Sequence, residues 1–499
     1  MKAVSVHADS CITYSYIYDH KFEHGKDALN MLIKENELDK PKFDKDGNDI
    51  YVIDEDDINR VYESIDANKM LTHLDKLNII ARRIFADADE FGPISSLYEY
   101  AVDEIDGGVS GIPSNAFDIT SLAEDTDLRF SYDSIWIMHK GQNIHLKFLS
   151  FGSQDELIRV CQNLYKYKPS AYLSERKGYV LSTMKDGSRI VVVRPPFADS
   201  WGFFLRKFDT VKTARLEENI KGNNIIPITH LKWFTKGCLT QAITGTQGCG
   251  KSTLLKGEVE YVPKTFNIRV QESTAELNLR YLYADRNITS FQETPSISVQ
   301  EGINIQKKTN GTVNIFGEVA SGPEAVTMLQ VTKVASRFTL FTHHAKTTRD
   351  LITALRDNTL QEGMFSDAKV AEENIANAIN IDIHLEKNKK GERYIERITE
   401  IIPIRDRRYP SELPKNKNKA LEELERLDHM EFMKRVTDRQ TFETVDLVVY
   451  KNGDYVLVND MSDGLKDIIL RNLSEEEEEI FLKEMSDLKQ RKDDESAAV

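Results

Sequence analysis

The stretch Gly245-Thr246-Gln247-Gly248-Cys249-Gly250-Lys251-Ser252-Thr253-Leu254 fits G-x-x-x-x-G-K-[ST], and its reading decides the fold. An apolar-flanked run, 239–243, precedes it and a helix-compatible run, 254–260, follows it. Strand, glycine-rich turn and helix start are the context that a phosphate-binding loop requires. The glycines let the backbone turn tightly, so the N–H groups from Gly245 to Gly250 and the helix N-terminus can face an anion. Lys251 is then placed for the β/γ-phosphates, and Ser252, followed by Thr253, for Mg²⁺.

At 499 residues the chain is too long for one compact core, and its length suggests about two to four domains. No stretch approaches the roughly 20 apolar residues of a membrane span, and the first residues lack a basic segment followed by an apolar one. A cytoplasmic protein is expected. Cys11, Cys161, Cys238 and Cys249 show no C-x-x-C spacing, so neither a disulfide framework nor a zinc ribbon is supported. Cys249 reads as a small filler in the loop, although phosphate-facing amides could lower a thiol pKa there. The formal charge of −15 argues against binding nucleic acid over a broad face.

Working outward, residues 225–408 alternate strand-length apolar runs with helices. Runs apolar throughout suit a parallel sheet covered on both faces. Residues 209–224 are polar and read as a linker. Before them, 85–208 shows hairpin signals around Gly141 and at Asp186-Gly187, with an amphipathic helix over 155–167 between them, the pattern of an α+β domain. Residues 1–84 read as an accessory module with a hairpin near Asp46-Gly47. Asp44, Asp46, Asn48 and Glu55 fall at calcium-loop spacing, but Asp49 stands where that loop needs glycine. A helix over 66–85, with Met70, Leu71, Leu74, Leu77, Ile80 and Ile84 at helical spacing, is expected to pack on the following domain. Residues 409–499 read as a charged extension with a hairpin turning at Asn452-Gly453, a solvated acidic helix starting at Ser474 and a disordered tail from Lys489.

Acids follow the phosphate loop at strand ends. Glu272 ends one apolar run, Glu318 follows another, and His344 follows a third. Strand ends open onto the crevice where ligands of open α/β sheets bind. Glu272 is placed to polarise water, and Glu318 to hold Mg²⁺. Glu276 reads as a helix-start carboxylate.

In this order the phosphate loop, Val270-Gln-Glu272-Ser273-Thr-Ala-Glu-Leu277, Phe316-Gly317-Glu318-Val319, Thr342-His343-His344-Ala345 and Thr348-Arg349-Asp350 resemble the traffic ATPases of type II and type IV secretion. The likeness is greatest to the tight-adherence pilus and conjugation branches, since the paired C-x-x-C module of many other members is absent. Upstream, Phe91-Gly-Pro-Ile94, Asp186-Gly-Ser-Arg189, Pro195-Pro196 and Leu205-Arg206-Lys-Phe208 are similar to motifs of the family's N-terminal domain. The match spans about residues 85–408. It implies an α/β fold: a RecA-like P-loop core with a mostly parallel sheet, preceded by a smaller α+β domain. It implies ATP and Mg²⁺ as cofactors, Lys251 and Ser252 as phosphate and metal contacts, Glu272 as acidic-box carboxylate, Glu318 as Walker B acid and His344 as the histidine-box residue. Arg189 and Arg206 match cations that the family brings toward the nucleotide across an interdomain cleft. A homo-hexamer acting on an integral membrane platform, peripheral at the inner face of the cell membrane, is implied as well. Ser273, Ala320 and Ser336 depart from the family's Asp, Arg and His, which leaves a regulatory nucleotide-binding scaffold with weak hydrolysis as an alternative. A RecA-like nucleic-acid motor is the other, and the acidic charge with no basic, aromatic-rich stretch counts against it.

Overall fold

The computed structural model describes residues 16–497 apart from 45, 65–70, 89, 112–130, 140–141, 168–172, 208–214, 221, 274–275, 294–296, 298, 307, 335, 389–391, 405–416 and 438–440. Readings placed on Cys11, Gly141, Phe208, Thr274 and Ala275 lie outside the described residues. The chain forms two compact units, Met1–Lys212 and Thr213–Val499. The segments expected as an accessory module and a charged extension belong to the first and second unit respectively.

In the first unit β1 (Lys42–Phe43) and β2 (Asp49–Ile50) form a small pair. The main sheet uses β3 (Val52–Ile53), β4 (Glu104–Ser110), β5 (Ser131–His139), β6 (Gln142–Leu146), β7 (Tyr179–Thr183), β8 (Arg189–Val193) and β9 (Gly202–Arg206) in the order β3-β6-β5-β4-β9-β8-β7. Among the described residues, only β3 and β6 run parallel in this sheet. The helix Gln154–Leu164 is capped by Ser153 and buries Leu157, Val160, Cys161 and Leu164, the spacing of one helical face. Leu29, Ile33 and Ile53 share one core with Ile105, Ile137 and Leu205, so residues before 84 are part of this unit's interior.

The helix His73–Ala88 departs from expectation. Of the expected stripe, Met70 lies outside the described residues, Leu71 is buried just before the helix, and Leu74, Leu77, Ile80 and Ile84 are exposed, at 50–65 % of full accessibility, while Ala86 is buried. Polar contacts set the rotation. Asp75 accepts from Tyr16 Oη at 3.1 Å and pairs with Lys21 at 2.7 Å, and Arg159 donates to the carbonyl of Ala86.

The second unit holds one nine-stranded sheet. Its strands are β10 (Gln241–Gly245), β11 (Ile268–Glu272), β12 (Ile288–Gln292), β13 (Val313–Phe316), β14 (Phe338–His343), β15 (Ile381–Lys387), β16 (Arg393–Pro403), β17 (Phe442–Lys451) and β18 (Asp454–Leu457). The order is β12-β11-β13-β14-β10-β15-β16-β17-β18. From β12 to β15 all pairs are parallel, and the last three pairs are antiparallel. Every residue of β10, β11, β13 and β14 is buried, as a doubly covered parallel sheet demands. The hairpin of the expected extension is β17–β18, and it lengthens this sheet. The expected linker also contributes to the interior, with Leu216 and Ile220 in the core.

The acidic helix is neither solvated throughout nor followed by the expected disordered tail, because it runs Glu475–Ala497 and packs on the helix Ile225–Lys236. Phe481 meets Trp233 edge to face at 5.4 Å, and Glu484 accepts from Trp233 Nε1 at 2.7 Å. Its first turn carries Glu475 to Glu478, where carboxylates favour the positive end of the dipole. No helix among the described residues is long and apolar enough to cross a membrane.

Candidate nucleotide site

The phosphate loop leaves β10 at Gly245, whose φ of +136° is open to glycine alone. A Cβ there would strike the carbonyl oxygen of Leu385 and come within 2.8 Å of Cys249 Sγ. Gly250, at φ +102°, starts the helix Lys251–Glu258. Cys249 is fully buried and burial pushes its thiol pKa up, so it fills space and is no thiolate. Thr246 and Gln247 are exposed at the tip, while Ser252 and Thr253 are half-buried in the first helical turn.

Lys251 is buried and points back into the loop. Its ammonium donates to the carbonyls of Gly245 at 3.0 Å and Thr246 at 2.9 Å, and lies 3.3 Å from His344 Nδ1. An ammonium only donates, so Nδ1 is the acceptor and the ring proton sits on Nε2. That nitrogen lies 3.0 Å from Glu318 Oε1. Lys251, His344 and Glu318 therefore form one chain.

Sheet order explains the meeting. β11, β13, β14 and β10 are consecutive neighbours, so their C-terminal ends present Glu272, Glu318, His344 and the phosphate loop along one edge. The ends are tied together by Thr342 Oγ1, which donates to the carbonyl of Gly317 at 2.6 Å, and by His343 Nδ1, 2.6 Å from the carbonyl of Val319. His343 is buried and burial lowers its pKa, so it anchors the loop while His344 reaches the site.

Glu272 is buried against Gly317 and accepts from the backbone N–H groups of Glu276 at 2.9 Å and Leu277 at 2.8 Å. Burial outweighs those hydrogen bonds and pushes its pKa up to about 7. The Ser252 hydroxyl and the Glu318 carboxylate, 42 % exposed, offer the oxygen donors that a hard cation such as Mg²⁺ prefers.

Arg189 and Arg206 lie in the first unit, where they are cross-strand partners on β8 and β9, with Glu104 opposite Arg206 on β4. The departures from family motifs resolve differently. The N–H groups of Ala320 and Ser321 donate to Glu324 at 2.8 and 2.9 Å, so this turn is closed by a carboxylate. Ser336 precedes β14 and bonds to the carbonyl of Val331, at the opposite end of the strand from His344. Phe338 and His343 are five steps apart along β14, about 17 Å at roughly 3.3 Å each. Sequence reasoning passed over Asp382 and His384 on β15, both buried beside β10. Two polar residues inside the apolar run Ile381–Leu385 were the available signal.

No family model and no curated protein matches the chain. Solved structures do. One is the VirB11 ATPase of the Brucella suis type IV secretion system with sulphate, 13 % identical at a TM-score of 0.31, over 64 % of this chain and 93 % of that one. The Legionella pneumophila ATPase DotB is 16 % identical at 0.41, over 61 % and 79 %. The pilus retraction motor PilT with ADP is 14 % identical at 0.39, over 73 % and 93 %. The likeness is to secretion and pilus ATPases.

Proposed function

We propose that the chain is a Mg²⁺-dependent ATPase that assembles as a hexameric ring and drives a membrane platform in pilus assembly, protein secretion or conjugative transfer. The observation that supports hydrolysis is the chain Lys251–His344–Glu318 at one sheet edge, with Glu272 on the strand beyond.

The loop N–H groups bind the phosphates, and Lys251 exchanges a loop carbonyl for a phosphate oxygen. When bound, Mg²⁺ neutralises charge on the phosphate oxygens, with Ser252 and Glu318 as its protein donors. Glu272, with a pKa of about 7, takes the proton of the attacking water at physiological pH. His344 holds Lys251 and Glu318 in register. Arg189 and Arg206 are the cations proposed to answer the charge that develops in phosphoryl transfer. The motifs, which resemble those of secretion ATPases over about residues 85–408, support the ring and the platform.

Titration of the full chain with MgADP tests the site: one nucleotide per chain is expected, and loss of binding in Lys251→Ala. Equal binding by both proteins would end the reading. For the ring, light scattering with MgATP is expected to give six chains, and a monomer under those conditions would contradict it.

A further inference from the structure

We infer that Asp382 is a positioning residue that clamps the phosphate loop to the histidine loop, and so fixes His344 against Lys251. This rests on the ATPase reading above.

Asp382 has no accessible surface. It lies on β15 opposite Ala242 of the phosphate-loop strand. One carboxylate oxygen accepts from Thr244 Oγ1 at 2.6 Å, and the other from Thr348 Oγ1 at 2.7 Å. The two threonines belong to the two loops of the site. Thr244 immediately precedes Gly245, where the phosphate loop starts. Thr348 opens the helix Thr348–Gln361, four residues beyond His344, and Thr347 caps that helix by accepting from Asp350 N.

Thr244 Oγ1 donates to Asp382 and also lies 2.9 Å from His384 Nδ1. Burial and the Arg397 charge lower the His384 pKa to about 4. Its Nε2 faces Glu386 at 3.6 Å and Glu396 at 3.8 Å, so the Thr244 end of the clamp is held from a second side.

Energetics distinguish a clamp from a packing residue. A wholly buried carboxylate is costly even with two hydroxyl partners, and burial pushes the Asp382 pKa up. A leucine or valine would suit the surrounding β15 better on stability alone. The β10–β14 ladder already sets Thr244 beside His343; what Asp382 adds is a side-chain link from Thr244 to Thr348, beyond the end of that ladder. A phosphate that draws Lys251 away from Gly245 and Thr246 would load this connection, and the histidine loop would follow.

The test uses the full chain and three variants, Thr348→Val, Thr348→Ser and Asp382→Asn, the last keeping the side-chain volume. In Thr348→Val, kcat is expected to fall about tenfold while MgADP affinity stays within about twofold, because orientation is lost and phosphate contacts are kept. Thr348→Ser, which keeps the hydroxyl, is expected to restore kcat. Asp382→Asn is expected to fall as Thr348→Val does. Hydrogen exchange supplies a readout independent of turnover: MgADP is expected to protect residues 343–348 in the wild type and to leave them unprotected in Thr348→Val. Wild-type kcat in Thr348→Val, no rescue by serine, or unchanged protection of 343–348 overturns the clamp. A wild type that binds MgADP but releases no phosphate sinks the ATPase reading instead, and the exchange arm still decides the clamp.

Discussion

Lys251 and His344 meet directly, the ammonium nitrogen 3.3 Å from Nδ1 of the imidazole. All three ammonium hydrogens are engaged, two by loop carbonyls and one by this ring. Replacing His344 with alanine frees Lys251 and unties Glu318, so turnover should fall about 10- to 100-fold while MgADP binding changes little. Steady-state kinetics beside a nucleotide titration checks the separation. Equal loss of both would place His344 in binding and not in alignment.

Glu272 gives the pH dependence. Burial holds its pKa near 7, and only the ionised form accepts a proton from water. The rate should rise through about pH 7 and level off above it, and Glu272→Gln should be slow at every pH. A wild-type profile that is flat from pH 6 to pH 8 would remove Glu272 from the role of base.

Glu258 carries a stability prediction. It ends the phosphate-loop helix with no accessible surface and with neither carboxylate oxygen hydrogen-bonded, and burial pushes its pKa up to about 8. The folded state therefore holds a proton that the unfolded chain releases near pH 4.5. The stabilisation is complete below that pH and is lost as pH rises through about 8. Glu258→Gln should gain on the order of 2–4 kcal/mol at pH 8 and almost nothing at pH 4. Thermal unfolding at the two pH values measures it.

Gly245 tests the loop geometry. Alanine there meets Leu385 and takes a φ of +136°, at a cost of about 1–3 kcal/mol in backbone strain before any clash. Gly245→Ala should lower the melting temperature and abolish MgADP binding. Alanine at Gly248, where a Cβ meets nothing within 4 Å, should cost less than at Gly245.

The edge of the sheet was readable because each site residue follows a strand-length run rich in Val, Ile, Leu and Phe and stands in the order of a known motif series, although Arg269, Gln271, Asn314 and Thr339 lie buried within those runs. Glu318 and His344 were visible for that reason. Asp382 was not, since a lone acid within Ile381–Leu385 has no periodic signature and its partners Thr244 and Thr348 are distant in sequence. Rotation of the helix His73–Ala88 was also hidden: its apolar stripe predicts burial, but Asp75 and the Arg159 contact to Ala86 turn another face inward. The acidic helix misled similarly, because charge in its first turn says nothing of Phe481 and Glu484, which bind Trp233. Ser336, which stands where the resembling family has a histidine, lies at the far end of β14 from His344, a separation the motif alone does not give.

The activity proposed for this loop is ATP binding followed by hydrolysis. Phosphate release by the full chain at high concentration with MgATP tests it most directly, set against Lys251→Ala under the same conditions. Turnover is expected to depend on Mg²⁺ and to disappear in the variant. Wild-type release no greater than that of Lys251→Ala would contradict it.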